Sequence, residues 1–90
     1  MSTTYDWYNL INLDDFDALD LVSKELTLNL DGLGDKICVV SKSNGYSILF
    51  EGNYLLAELN DKNPFEFEDH AAYIDGDRNL WMGIKTVPQP

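Results

Sequence analysis

NLDDFDALDLVSKEL, residues 12–26, is the stretch on which the reading of the fold turns. Its apolar residues Leu13, Phe16, Leu19, Val22 and Leu26 recur at spacings of three, three, three and four, the periodicity of a helix. At about 100° per residue, Phe16, Ala18, Leu19, Val22 and Leu26 fall on one arc of a wheel and Asp14, Asp17, Asp20 and Glu25 on the opposite arc. The spacing predicts an amphipathic helix over 13–26. Asp14 or Asp15 is the expected N-cap, since a carboxylate there accepts from free backbone N–H groups and suits the positive end of the helix dipole.

Downstream the period changes to two. Leu26, Leu28 and Leu30 alternate with Thr27 and Asn29 until Asp31-Gly32-Leu33-Gly34 breaks the run. KICVVSK, residues 36–42, is apolar on both faces, as a central strand should be, and Ser43-Asn44-Gly45 supplies a hairpin signal. Residues 46–51 return along it, and Gly52-Asn53 turns the chain into 54–59, making a three-strand meander. After a loop at Asn60–Pro64, residues 65–74 alternate Phe65, Phe67, Ala71 and Tyr73 against Glu66, Glu68, His70 and Ala72. Asp75-Gly76-Asp77-Arg78-Asn79 then turns into 80–85, with Leu80, Met82 and Ile84 on one face and Trp81 on the other.

The expected fold class is α+β. One N-terminal amphipathic helix, extended by a turn around residues 6–11, packs on a five- to six-stranded antiparallel sheet, a meander with the option of partial closure into a barrel. A chain of 90 residues buries little more than ~60% of its unfolded surface and supports one core, so 1–86 is read as a single domain. Val87-Pro88-Gln89-Pro90 is read as a flexible tail.

Sixteen Asp and Glu against six Lys and Arg give a net charge of -10. Such a surface repels phosphates, whose binding depends on Lys and Arg displacing counterions, so direct nucleic-acid binding is not expected. The first 35 residues hold eight acids and Lys24 alone as a base, so the charge is unevenly distributed. Cys38 has no partner for an intramolecular disulfide, and its setting in Ile37-Cys38-Val39-Val40 reads as a small buried apolar residue in a reducing compartment. No run approaches the ~18 apolar residues of a membrane span and no signal peptide is legible, so a cytoplasmic location away from membranes is expected.

Chemistry is sparse. Asp75-Gly76-Asp77-Arg78-Asn79 spaces oxygen ligands like the start of a calcium loop, but Leu80 stands where that loop needs glycine and Thr86 where it needs a bidentate glutamate. A polar hairpin turn explains the same residues. His70 would share a face with Glu66 and Glu68, yet no second histidine, cysteine pair, activated nucleophile or glycine-rich phosphate loop accompanies it. No catalytic residue, metal or cofactor is assigned.

Two features suit a binding role. Residues three or four apart on a helix stand about 5–6 Å apart at Cβ, so Asp14, Asp17 and Asp20 would form a row of charge with a pitch like that of backbone phosphates. Small acidic inhibitors of DNA-binding enzymes act through such rows, and the chain is similar to them in size, charge and helix-plus-sheet composition, without a shared motif. An ordinary solvated face is the simpler account of the row, since charged faces are common. Trp7 and Tyr8, of a type that dominates binding hot spots, either fill the core or anchor a partner. The expected function is a small acidic, non-catalytic module, phage- or mobile-element-encoded, that inhibits or regulates a partner protein by docking Asp14, Asp15, Asp17, Asp20, Glu25, Trp7 and Tyr8 on its basic surface. The alternative is a structural protein that self-associates through sheet edges; the expected state is monomer or homodimer.

Overall fold

The computed structural model describes residues 4–28, 34–43, 45–51, 54–60, 64–67 and 69–86. The sequence readings at residues 29–33, Asn44, Gly52-Asn53, 61–63, Glu68 and 87–90 lie outside them. The element order is β1 (Tyr5–Asn12), α1 (Leu13–Ala18), β2 (Ser23–Leu28), β3 (Asp35–Lys42), β4 (Gly45–Phe50), β5 (Tyr54–Leu59), β6 (Phe65–Phe67), β7 (His70–Ile74) and β8 (Asn79–Lys85). Among the described residues these strands form two four-stranded antiparallel sheets, ordered β1-β8-β7-β6 and β2-β3-β4-β5.

The α+β expectation is overturned: the fold is mostly antiparallel β, and no long amphipathic helix packs on a sheet. The helix predicted over 13–26 stops at Ala18, and its second half becomes β2. Leu19 and Val22, placed by the wheel on the core arc, are 70% and 73% exposed. Two local causes act together. Isolated helices need roughly 12–15 residues before propagation outweighs nucleation, so a helix here depends on what it buries. Leu13 and Phe16 already fill the space between the sheets, whereas Leu26 and Leu28 reach the core flank in the period-2 register of an edge strand paired with β3.

The helix also has built-in ends. Asn12, rather than Asp14 or Asp15, is the N-cap; its side-chain oxygen accepts from the N–H groups of Asp14 and Asp15 at 3.0 and 3.2 Å. At the other end the N–H of Leu21 donates to the carbonyl of Phe16 and that of Asp20 to the carbonyl of Asp17, closing a Schellman motif. Its left-handed position, normally glycine, is Asp20 at φ 54°. Releasing a side chain from that conformation should outweigh glycine's extra unfolded-state entropy. Asp20→Gly is therefore expected to stabilise the protein by about 0.5–1 kcal/mol. Urea denaturation of the two proteins side by side reads this directly, and a loss of stability would refute the capping account.

Residues 6–11 are likewise strand, not a helical extension: β1 pairs antiparallel with β8 from Tyr5↔Lys85 to Asn12↔Asn79, with a bulge between Asn9 and Ile11. The meander predicted over 36–59 is present as β3, β4 and β5, with β2 added as a fourth strand. Gly45 opens β4 at φ 152°, and a Cβ there would fall on the Leu59 carbonyl, so the start of β4 is packed directly against the end of β5. The single strand predicted over 65–74 is two, β6 and β7, paired antiparallel with Phe67 opposite His70. In this pairing Phe65 shares a face with Ala72, not with Ala71, and Ala71 and Ala72 are both buried.

Both sheets share one core. The first contributes Leu10, Ala72, Leu80 and Met82, the second Ile37, Val39, Ile48, Ala57 and Leu59, and α1 inserts Leu13 and Phe16. The Phe16 ring meets Tyr46 edge-on, 6.0 Å between centroids at 85°. β5 lies close to β6 and β7, drawing the sheets together on that side. β1 and β2 are the outer strands of the other side, and α1 carries the chain between them.

Candidate functional site

β8 sits between β1 and β7, so its two faces organise the first sheet. Leu80, Met82 and Ile84 point to the core; Trp81, Gly83 and Lys85 therefore point outward. The register sets Trp7 opposite Gly83, Tyr5 opposite Lys85 and Tyr73 opposite Trp81. Four aromatic side chains from three strands thus share the outer face.

Their contacts are continuous. Tyr5 and Trp7 lie 5.4 Å apart between ring centroids at 48°, Trp7 and Tyr73 5.1 Å apart at 82°, and Tyr73 and Trp81 6.4 Å apart at 9°. Gly83 explains the posture of Trp7. A Cβ at Gly83 would meet three neighbouring atoms of the indole's six-membered ring at 2.8, 2.9 and 3.0 Å, nearly equal distances that arise only over a ring face. The indole lies flat on the glycine, with its opposite face turned away from the sheet, and Trp7 is 42% exposed. Tyr73, parallel to Trp81, stands nearly upright beside it.

Trp81 is fixed from below. Its Nε1–H donates to Asp75 at 2.9 Å, and the same carboxylate accepts from the N–H groups of Asp77 and Asn79 and from the Asn79 amide. These donors, the Trp81 indole first, hold the Asp75 carboxyl down to about 2 from an ordinary 3.8. A depressed carboxylate stabilises the fold above its unfolded pKa and loses that contribution as pH falls through the folded one. The melting-temperature gap between wild type and Asp75→Asn is therefore expected to be full at pH 7, to shrink below pH about 4 and to close near pH 2. A gap independent of pH would show that charge plays no part. At the other end of the aromatic row the Tyr5 phenol is pushed up, first by partial desolvation and then by the charge and hydrogen bond of Glu66 and the charge of Asp69.

The acidic residues predicted as a docking row lie elsewhere and are divided among several surroundings. Asp14 and Asp17 grip Arg78: its Nε lies 3.2 Å from Asp14 and its Nη2 2.9 Å from Asp17. The Tyr46 hydroxyl joins at 3.4 Å from both Asp17 and Arg78 Nη2. Arg78 occupies the left-handed residue, φ 67°, of a three-residue hairpin loop, and its carbonyl accepts from the N–H of Leu13 at 2.7 Å. Two acids of the row are thus engaged in fastening α1 to the β7–β8 hairpin. Asp15 is exposed on α1, Asp20 sits in the turn after it, and Glu25 is exposed on β2, so Asp14, Asp17 and Asp20 do not form one helical row.

Trp7 and Tyr8 separate by the parity of the strand. Tyr8 faces inward and packs, half-buried, against the core, while Trp7 faces outward. Five residues of strand at about 3.3 Å each put Trp7 some 17 Å from Asn12, where the acidic helix begins. Tyr73 and Trp81, both half-buried, were not among the candidate residues. The alternation in 80–84 does put Trp81 on the face away from Leu80, Met82 and Ile84, but local spacing lacks the register that sets Tyr73 opposite it.

Other candidates resolve simply. His70 is half-buried opposite Phe67 and Ile84, on the other face of the sheet from Glu66. Cys38 is half-buried on β3, not fully buried. The Asp75–Asn79 turn is a hairpin whose first carboxylate is occupied by its own loop, and the described residues contain no group of three His, Cys, Asp or Glu able to hold a metal. A half-open concavity of about 420 Å³ lies between the β3–β4 turn and the end of β5, with Lys42, Tyr46, Glu58 and Asn60 on its walls. No helix among the described residues is long and apolar enough to cross a membrane. No protein-family model matches the chain, and no curated protein or solved structure matches it either.

Proposed function

We propose that the protein is a small acidic, non-catalytic binding module that docks on a basic surface of a partner protein and so inhibits or regulates it. The observation that carries this reading is the open aromatic face of the first sheet, with Trp7 presented flat and 42% exposed, on a chain of net charge -10. Aromatic residues supply affinity at the centre of an interface and the surrounding negative field speeds encounter with a cationic partner. Asp15, Asp20 and Glu25, exposed at the α1–β2 side, contribute to that field at longer range, and so do Asp14 and Asp17 in part, since Arg78 shares their charge. An unpaired Cys38 suits a reducing compartment such as the cytoplasm, and a compact inhibitor of this kind is economical for a phage or mobile element to encode.

The test is immobilised protein against a lysate across a salt series. A partner is expected to be retained at about 0.05 M salt and released by about 0.5 M, where the screening length falls below ~5 Å. Retention unchanged across the series, or retention of acidic rather than basic proteins, would reject the reading. A second reading has one observation in its favour: β1 and β2 are edge strands of eight and six residues without proline, open to pairing with another copy. Size-exclusion chromatography separates the two, since a dimer or larger assembly indifferent to salt speaks for self-association.

A further inference from the structure

We infer that the outer face of the first sheet is built to receive a cationic side chain, a lysine or arginine of the partner, in a notch floored by Trp7 and walled by Tyr73 and Tyr5. The inference rests on the docking reading for the source of the cation, and it adds the chemical group that is recognised.

The shape comes first. A flat hydrophobic patch would suit any apolar surface, but these rings are not coplanar. Trp7 lies down on Gly83, Tyr73 rises at 82° on one side, and Tyr5 tilts at 48° on the other. The exposed indole face and the upright phenol ring meet in a corner. Aromatic faces carry negative quadrupole charge, so a corner of two or three faces attracts a cation within about 6 Å of each centroid, as in sites that hold quaternary ammonium groups. A neutral sugar or aliphatic group gains no such term.

The surroundings agree in sign. Glu66, opposite Ala71 on the same outer face, and Asp69 lie close enough to Tyr5 to act on its hydroxyl, so carboxylates stand at the Tyr5 end of the aromatic face. Asp75 beneath Trp81 stays ionised over the ordinary pH range. Lys85, opposite Tyr5 and exposed, is the cation of the chain nearest in register, and its flexible stem can move aside for a competing charge. Gly83 is the element that makes the notch possible, because any Cβ there would lift the indole off the sheet.

The experiment uses the whole chain, labelled with ¹⁵N, and three forms of a blocked Gly-Lys-Gly peptide. One carries lysine, one trimethyl-lysine, and one a neutral isostere with a tert-butyl carbon in place of the ammonium nitrogen. The trimethyl and lysine peptides are expected to shift the Trp7 indole N–H saturably, with the neutral isostere binding at least about tenfold more weakly. Trp7→Leu, read on the Gly83 and Tyr73 amides, and, separately, Tyr73→Leu, read on the Trp7 indole N–H, should abolish the response while keeping a dispersed amide spectrum. Equal binding of the neutral isostere would overturn the inference, as would shifts confined to residues outside this face, or preference for phosphatidylcholine vesicles over the lysine peptides. Salt-sensitive capture of a basic partner together with no peptide response would sink the notch alone and leave the docking reading standing. Peptide response without any captured basic protein would support the notch and sink the docking reading.

Discussion

Phe16→Ala is expected to cost about 3–5 kcal/mol, a large fraction of the total stability of a 90-residue domain. Phe16 is fully buried between the sheets, and its ring is the edge-on partner of Tyr46. Truncation leaves a cavity in the one place where α1, the first sheet and the second sheet meet, and a six-residue helix has no stability of its own with which to hold its position. The loss should therefore exceed what buried area alone suggests. It should also be cooperative, with α1 and the contact between sheets lost together. Urea denaturation followed by near-UV signal of the aromatics and by far-UV signal of the strands checks both points. A change below about 1 kcal/mol would mean that the helix is dispensable, contrary to the packing described here.

Trp7→Ala is expected to act on binding, not on folding. An exposed indole at the centre of an aromatic face has the character of a hot spot, and its removal should weaken the partner by about 2–4 kcal/mol, roughly 30- to 1000-fold. Stability should change by no more than about 1 kcal/mol, because the indole is 42% exposed and its packing partners are Gly83 and neighbouring rings on the same open face. Charge reversal of Asp14 and Asp17 is expected to act on both: those residues hold Arg78 across to the β7–β8 hairpin, so reversal lowers the melting temperature by loosening α1 and also reduces the field. Comparing the two variants by isothermal calorimetry and by melting temperature separates anchor from scaffold.

Much of the strand content was legible in the residues. Asn44-Gly45 and Asp75–Asn79 marked hairpins, and the alternation of Leu80, Met82 and Ile84 gave the inner face of β8. The helix was misread because LDDFDALDLVSKEL satisfies two periods at once. Its threes and fours suit a helix, and its Leu26-Thr27-Leu28 end suits a strand; which wins is decided by β3, a partner that local spacing does not contain. The Schellman turn at Asp20 was hidden for a related reason, since aspartate in the left-handed region carries no glycine signal. Dividing the strands into two sheets needed the β1–β8 pairing, the longest-range strand pairing among the described residues.

Net charge and the presence of an N-terminal tryptophan are plain in the composition, but their placement was not legible: Trp7 faces outward, Tyr8 faces the core, and the acids are spread over α1, its following turn and β2. A one-residue step along a strand reverses the face, so Trp7 and Tyr8 could be separated only once β1 was known to be a strand. The same step brings Tyr73 and Trp81 outward beside Trp7, and that grouping exists only through the register of β1, β8 and β7.

Titration of the labelled protein with an octalysine peptide, followed by amide and indole N–H shifts, tests the docking surface most directly. Shifts centred on Tyr5, Trp7, Tyr73 and Trp81, weakening steeply with added salt, are the predicted result. Shifts confined to α1 and the second sheet, with the Trp7 indole unmoved, would contradict it.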